Sequence, residues 1–184
     1  MSNPDITSLP PVRRVLTAIN EQGMSYIAED GPSPAQITNE ARPGYRNTNL
    51  WRTVGSPAPI GAPDDITEHQ GVLPPAGGTV LRIIDFPPQP ADPEEMRRQQ
   101  EAVFATMFKD AQHQKGSTRH PGMHTTETVD YAIMLQGELV AIMDEGETVL
   151  RAGDVLIQRG TNHAWANRSG QMARIAFILI DGKR

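Results

Sequence analysis

PGMHTTETVDYAIMLQGEL (121–139) and RAGDVLIQRGTNHAWAN (151–167) are two His-bearing segments joined by the acidic turn Asp144-Glu145-Gly146. The first reads as a strand over 126–135, a turn at Gly137 and a second strand over 138–143. The second reads as a strand, a turn centred on Gly160 and a strand carrying His163, Trp165 and Asn167 at alternate positions. Side chains of a strand alternate between its faces, so those three are expected to point the same way. By the same parity His124, Thr126 and Asp130 share a face, whereas Tyr131 lies on the opposite one, outside any cavity.

The pair of segments resembles the cupin superfamily, whose first motif runs from a glycine through His-x-His and a carboxylate to another glycine. Its second motif leads from Gly-Asp through a turn to a His, with Asn four residues later. Gly153-Asp154, Gly160, His163 and Asn167 match the second motif. Counting back from Gly137 places Asp130 where the family usually has Glu, and His124 at the first His, while Thr126 stands where the second His belongs. The resemblance covers residues 122–180. It implies an all-β fold, a single cupin β-barrel of the jelly-roll type, with N-terminal strand arms and one covering α-helix. It also implies a homodimer, as many cupins are, and a divalent metal (Fe, Mn, Ni or Zn) held by His124, Asp130 and His163.

Two imidazoles and one carboxylate with open positions suit such an ion, whereas the hydroxyl of Thr126 is a weak substitute for an imidazole. Glu127 is a further candidate ligand, but parity turns it to the other face unless a bulge re-aims it. His120 is another, placed in a Pro-Gly loop from which it can fold over the mouth of the barrel. The plainer alternative makes both histidines core residues held by backbone hydrogen bonds, and pairs Asp130 with an inward arginine such as Arg82. Trp165 is expected to form a flat wall beside His163 or simply to pack in the core. Arg159, in the turn before His163, either receives a substrate carboxylate or stays solvated.

The rest of the chain sets limits. Its 184 residues make one domain, with strands, Pro/Gly-rich loops and a helix over 1–120 and the two-motif core over 121–180. Without cysteine there is no disulfide framework and no thiolate metal site. A net charge of −5, spread along the chain, supplies no basic surface for nucleic acid and no polybasic membrane patch. MSNPDITSLPPVRR at the start has no apolar stretch behind its charges, so it is not a secretory signal, and the expected location is cytoplasmic.

Strand-like pieces at 14–19 and 24–29, separated by Asn20-Glu21-Gln22-Gly23, predict an opening hairpin. Residues 31–78, rich in Pro and Gly, read as ordered loops on the barrel because Tyr45, Trp51, Ile60 and Leu73 recur through them. TVLRIIDF (79–86) is a strand stopped by Pro87-Pro88. Asp92 as N-cap, Pro93 at the first position and an apolar stripe of Met96, Val103, Phe104, Met107, Phe108 and Ala111 predict a helix over 93–112, whose stripe covers its own barrel or meets a second subunit.

The partner these features suggest is a small oxygenated molecule, such as a hydroxy- or oxo-acid or a polyketide-like compound. The expected chemistry is that of a lyase or isomerase, of dehydratase or decarboxylase type, in which His124, His163 and Asp130 carry protons or ligate the metal and Trp165, Thr126 and Arg159 hold substrate. Two alternatives stay open: an iron-dependent dioxygenase, and a ligand-binding cupin without turnover.

Overall fold

The structure is a computed structural model and describes residues 8–184, so the first half of the N-terminal segment lies outside the described residues. A hairpin of β1 (Arg13–Ile19) and β2 (Ser25–Pro32) opens the fold, and Asn20 closes its turn by accepting from the backbone of Gln22 and Met24. β3 (Ala35–Thr38) and β4 (Arg46–Thr53) follow, then a short 3-10 turn (Ile66–Glu68) and β5 (Thr79–Phe86). After helix α1 (Pro93–Thr106) come two-residue strands β6 (Gln112–His113) and β7 (His124–Thr125). The remaining strands are β8 (Thr128–Gln136), β9 (Glu138–Met143), β10 (Glu147–Arg151), β11 (Val155–Arg159), β12 (His163–Ala166) and β13 (Ala173–Asp181).

Apart from the hairpin, these strands form two sheets, β10-β9-β12-β7-β6 and β11-β8-β13-β5-β4-β3. Their apolar faces meet in one core, where Leu139, Ala141 and Trp165 of the first sheet join Ile84, Ala132, Met134, Ile175 and Phe177 of the second. This is the jelly-roll expectation realised as two facing sheets. Alternation in β8 is strict: Thr128, Asp130, Ala132 and Met134 are buried and Tyr131 is exposed.

Helix α1 starts as its sequence dictates, with Asp92 accepting from Glu94 N at 3.1 Å and proline at the first turn. It buries Gln100, Val103 and Phe104 against the barrel. The expected end at 112 is corrected to Thr106. The Asp110 carboxylate accepts from the backbone N–H groups of Val72 and Leu73, which pulls the chain out of helical register, and His113 then enters a sheet.

The loop reading of 31–78 is also corrected, because β3 and β4 extend the second sheet through it. β4 escaped a hydrophobicity reading because its most buried residues, Asn47, Thr48 and Asn49, are polar. Of the apolar residues singled out there, Tyr45 is core, whereas Ile60 is fully exposed.

A third correction decides the site. The strand expected over 126–135 is β8, but the parity that carried its face back to His124 does not hold, because His124 belongs to β7 in the other sheet: β7 pairs with β12 and β6, and β8 pairs with β13 and β11. The chain crosses between walls of the barrel at Thr126-Glu127.

Candidate active site

His163 lies directly opposite His124 across the β12–β7 pair, and His113 lies opposite His124 across β7–β6. The row is roofed by Phe104 of α1, which stacks on His113 at 4.1 Å and tilts over His124 at 5.0 Å. The His124 and His163 rings stand 4.3 Å apart. His113 was missed in the sequence because a two-residue strand has no periodicity to detect; only its register with His124 gives it away.

Backbone carbonyls fix both central rings. A carbonyl only accepts, so His124 Nδ1–H donates to Gly122 O and His163 Nδ1–H donates to Thr161 O, each at 2.9 Å. The neutral rings therefore keep the Nε2 lone pair free. His163 sits at this height because Gly160, at φ +58°, turns the chain from β11 into β12. Burial pushes the His124 pKa down to about 3, helped by His163 beside it and opposed by the bond to Gly122. Burial likewise pushes His163 to about 4, with the Thr161 carbonyl opposing. Both are neutral at pH 7.

The cavity between the sheets is lined by His124, His163, Thr126, Trp165 and Asp130, together with Arg42, Tyr45, Arg82 and Phe104. It is tight, leaving about 70 Å³ for the centres of water-sized molecules, room for a ligand of a few heavy atoms with α1 in place. Trp165 packs edge-on to Phe177 at 5.2 Å in the core, and its ring also lines the cavity, edge-on to His163 at 5.9 Å.

Asp130 reaches the cavity from the opposite sheet. It is 5% exposed, and its Oδ1 has no hydrogen-bond partner among the described residues. Burial raises its pKa to about 6, against the lowering effects of Thr128 and Arg82. No ion pair with Arg82 forms within 4 Å. That guanidinium donates instead to Gly71 O, Val72 O and the ring of His69, and its Nε–H is left unpaired. Thr126 Oγ1 and Thr128 Oγ1 share a hydrogen bond of 2.8 Å.

The expected ligand set of His124, Asp130 and His163 is not assembled: among the described residues no three His, Asp or Glu side chains gather to hold an ion. The physical reason is the change of sheet at Thr126-Glu127, which puts the carboxylate and the imidazoles on facing walls instead of one strand face. The two free Nε2 atoms fit two positions of a metal, but the residues present do not supply the third ligand of the expected site, and no step below is routed through a metal.

The remaining expected residues fall outside the cavity lining. Glu127 is exposed, 4.0 Å from Arg184, as parity requires. Arg159 is exposed at the end of β11, on grooves outside the barrel. His120 is buried behind Gly122, whose N–H donates to its Nδ1 at 3.0 Å; its Nε2–H finds no acceptor. Asn167 is structural, with its amide donating to Phe86 O and Gln171 O and so tying the end of β12 to β5.

Comparison with known proteins agrees with this geometry. Residues 110–180 match the family model described as a cupin domain. Phomopsin biosynthesis cluster protein C' of Diaporthe leptostromiformis is 30% identical over 98% of this chain and 84% of its own length. Oryzines biosynthesis cluster protein J of Aspergillus oryzae is 30% identical over 95% and 85%. The cupin-domain-containing oxidoreductase srdD of Neurospora crassa is 26% identical over 95% and 78%. With the two motifs on facing strands of a jelly roll and relatives matched over nearly the whole chain, the protein belongs to the cupin family.

Proposed function

We propose that the chain is a small-molecule enzyme that moves a proton next to a carbonyl, as a lyase or isomerase, with Asp130 as the proton carrier. The observation that carries the reading is the buried carboxyl of Asp130, facing the cavity with Oδ1 unpartnered and its pKa raised to about 6. A group poised near the working pH is the most effective general base. The histidines take a different part from the one their sequence suggests. Imidazoles held near 3 and 4 are poor bases, but their fixed Nε2 lone pairs accept a hydrogen bond from a substrate hydroxyl.

In a dehydration, ionised Asp130 takes the proton α to the carbonyl, the C–O bond to the β-hydroxyl breaks, and the hydroxyl leaves as water with the proton that Asp130 returns. In an isomerisation the same proton returns to another carbon. The unpaired Nε–H of Arg82 stands on the same cavity wall as the enolate charge that develops.

The test is deuterium exchange, followed by NMR, into the C3 position of 2-oxobutanoate and pyruvate in D2O. Wild-type protein is expected to catalyse exchange, and Asp130→Asn to lose about 10²-fold or more of the rate. Exchange that persists in Asp130→Asn, or a wild type that binds these acids without exchanging them, would sink the reading.

The name of the Neurospora relative favours a second reading, an oxidoreductase. It requires consumption of dioxygen or another acceptor coupled to substrate loss, measured with an oxygen electrode.

A further inference from the structure

The arginines of this chain differ in what neutralises them. Arg13, Arg14, Arg46, Arg52, Arg168 and Arg174 each pair with a carboxylate at 2.5–2.7 Å, the exposed Arg13 and Arg168 as well as the buried Arg14. The two that line the cavity, Arg42 and Arg82, are 2% and 1% exposed and have no carboxylate within 4 Å among the described residues. This is the reverse of what burial demands, because an unpaired charge is most costly where water is excluded.

Arg42 is the more open of the two. Its guanidinium lies over the Tyr45 ring at 4.5 Å and near Phe86 at 5.5 Å, which covers its faces and leaves its N–H edge uncommitted. No side-chain hydrogen bond from Arg42 to any described residue is present. Close by, the Nε2–H of His120 and the Nε–H of Arg82 are further buried donors without acceptors. Against these the site offers as acceptors Asp130 Oδ1 and the free Nε2 lone pairs of His124 and His163, but of these only Asp130 can carry negative charge. Two guanidinium groups therefore face a single carboxylate, and positive charge exceeds negative.

From this imbalance we infer that Arg42 is the anion-binding residue of the cavity, and that the substrate is a small organic carboxylate received on its N–H edge. The planar fork of a guanidinium matches a carboxylate bidentately. Stacking on Tyr45 and Phe86 holds that fork ready without using its donors. Arg159, the sequence's candidate for this task, is on the outer surface and takes no part. The inference deepens the proton-transfer reading and rests on it for the reaction, but not for binding.

The experiment measures binding of pyruvate and 2-oxobutanoate, and of their methyl esters, by calorimetry and by tryptophan fluorescence, to which Trp51 and the cavity residue Trp165 contribute. The acids are expected to bind at least tenfold more tightly than the esters. Arg42→Met should weaken acid binding at least tenfold and leave ester binding alone, and Arg159→Gln should match the wild type. Arg42→Met removes an unpaired buried charge, so its ligand-free form should melt about 2–4 °C higher. A structural role for Arg42 would instead lower the melting temperature, and that result overturns the inference. Arg42→Lys keeps the charge without the fork and should fold while binding the acids weakly.

Equal affinity for acid and ester, unchanged acid binding in Arg42→Met, or no binding of either acid would each overturn the inference. Failure of the proton-transfer reading looks different: Asp130→Asn and wild type bind the acids alike, and neither exchanges deuterium.

Discussion

Lowering the pH from 7 to 5 should remove most of this protein's stability. Four histidines are buried neutral: His69, His120 and His163 have pKa values pushed to about 4, and His124 to about 3, in each case chiefly by burial. Unfolded, each titrates near 6.5. Between about 6.5 and 4 the unfolded chain therefore binds more protons than the folded one, so stability falls as pH falls and is fully present only above 6.5. With 1.36 kcal/mol per pKa unit, each imidazole contributes a loss of about 2 kcal/mol by pH 5. Asp130 has the opposite sign. Its folded pKa of about 6 lies above the unfolded value, so protonation favours the fold in the same window and returns about 1 kcal/mol.

The net loss is about 7 kcal/mol, comparable with the whole stability of an ordinary domain. Calorimetry at constant ionic strength should show the melting temperature falling by more than about 10 °C between pH 7 and pH 5. His69→Gln, in which the amide oxygen can still accept from Arg82, should shrink the fall by about one quarter, because one of the four titrating groups is gone. Asp130→Asn should enlarge it by about 1 kcal/mol. A melting temperature constant within about 2 °C over this range would refute the reasoning, since it would mean that these imidazoles charge in place without cost.

Two further perturbations test what holds the site. Asp85, 1% exposed, receives Arg46 and Arg174, which also donate to the carbonyls of Leu9 and Pro10. Asp85→Ala strands two guanidinium groups and should cost about 3–5 kcal/mol in urea unfolding. Phe104→Ala removes the roof over His113 and His124, and should cost a similar ~3–5 kcal/mol while admitting larger ligands, which a size series of oxo-acids would read out.

How far the sequence reveals this molecule depends on the range over which each signal acts. Local chemistry was legible: Asp92 and Pro93 mark the start of α1, TVLRIIDF is β5 to the residue, and Asn20 closes the first hairpin. The Gly160–His163 turn was legible for the same reason, since a glycine and a strand pattern suffice. Parity failed at Thr126-Glu127 because alternation tells which face of a strand a residue occupies and says nothing of the sheet to which the strand belongs. That single crossing separates Asp130 from the histidines. β4 was hidden because the residues it buries most deeply, Asn47, Thr48 and Asn49, are polar and give no apolar alternation to read, although Asn47 Nδ2 donates to Asn49 Oδ1 at 3.3 Å. Arg42 was hidden most completely, for a lone arginine in a Pro/Gly-rich segment reads as surface.

The polar groups gathered around the site are those whose burial works against stability. Among the described residues, Arg42 and Arg82 are buried charges without counter-ions, His120 Nε2 and Asp130 Oδ1 are buried atoms without partners, and four imidazoles are held neutral far below their ordinary pKa. A fold selected for stability alone would fill this space with leucine and phenylalanine, as the core formed by Ile84, Ile175 and Phe177 does nearby. Of these groups, Arg42, Arg82, Asp130, His124 and His163 line one cavity, and retaining them there has a physical rationale if a ligand completes them. A carboxylate on Arg42 neutralises the costliest of these charges, and its hydroxyl or carbonyl oxygen satisfies the remaining donors. At ligand concentrations well above the dissociation constant the acid should therefore stabilise the wild type by at least about 1.4 kcal/mol more than it stabilises Arg42→Met, the mass-action equivalent of a tenfold difference in affinity.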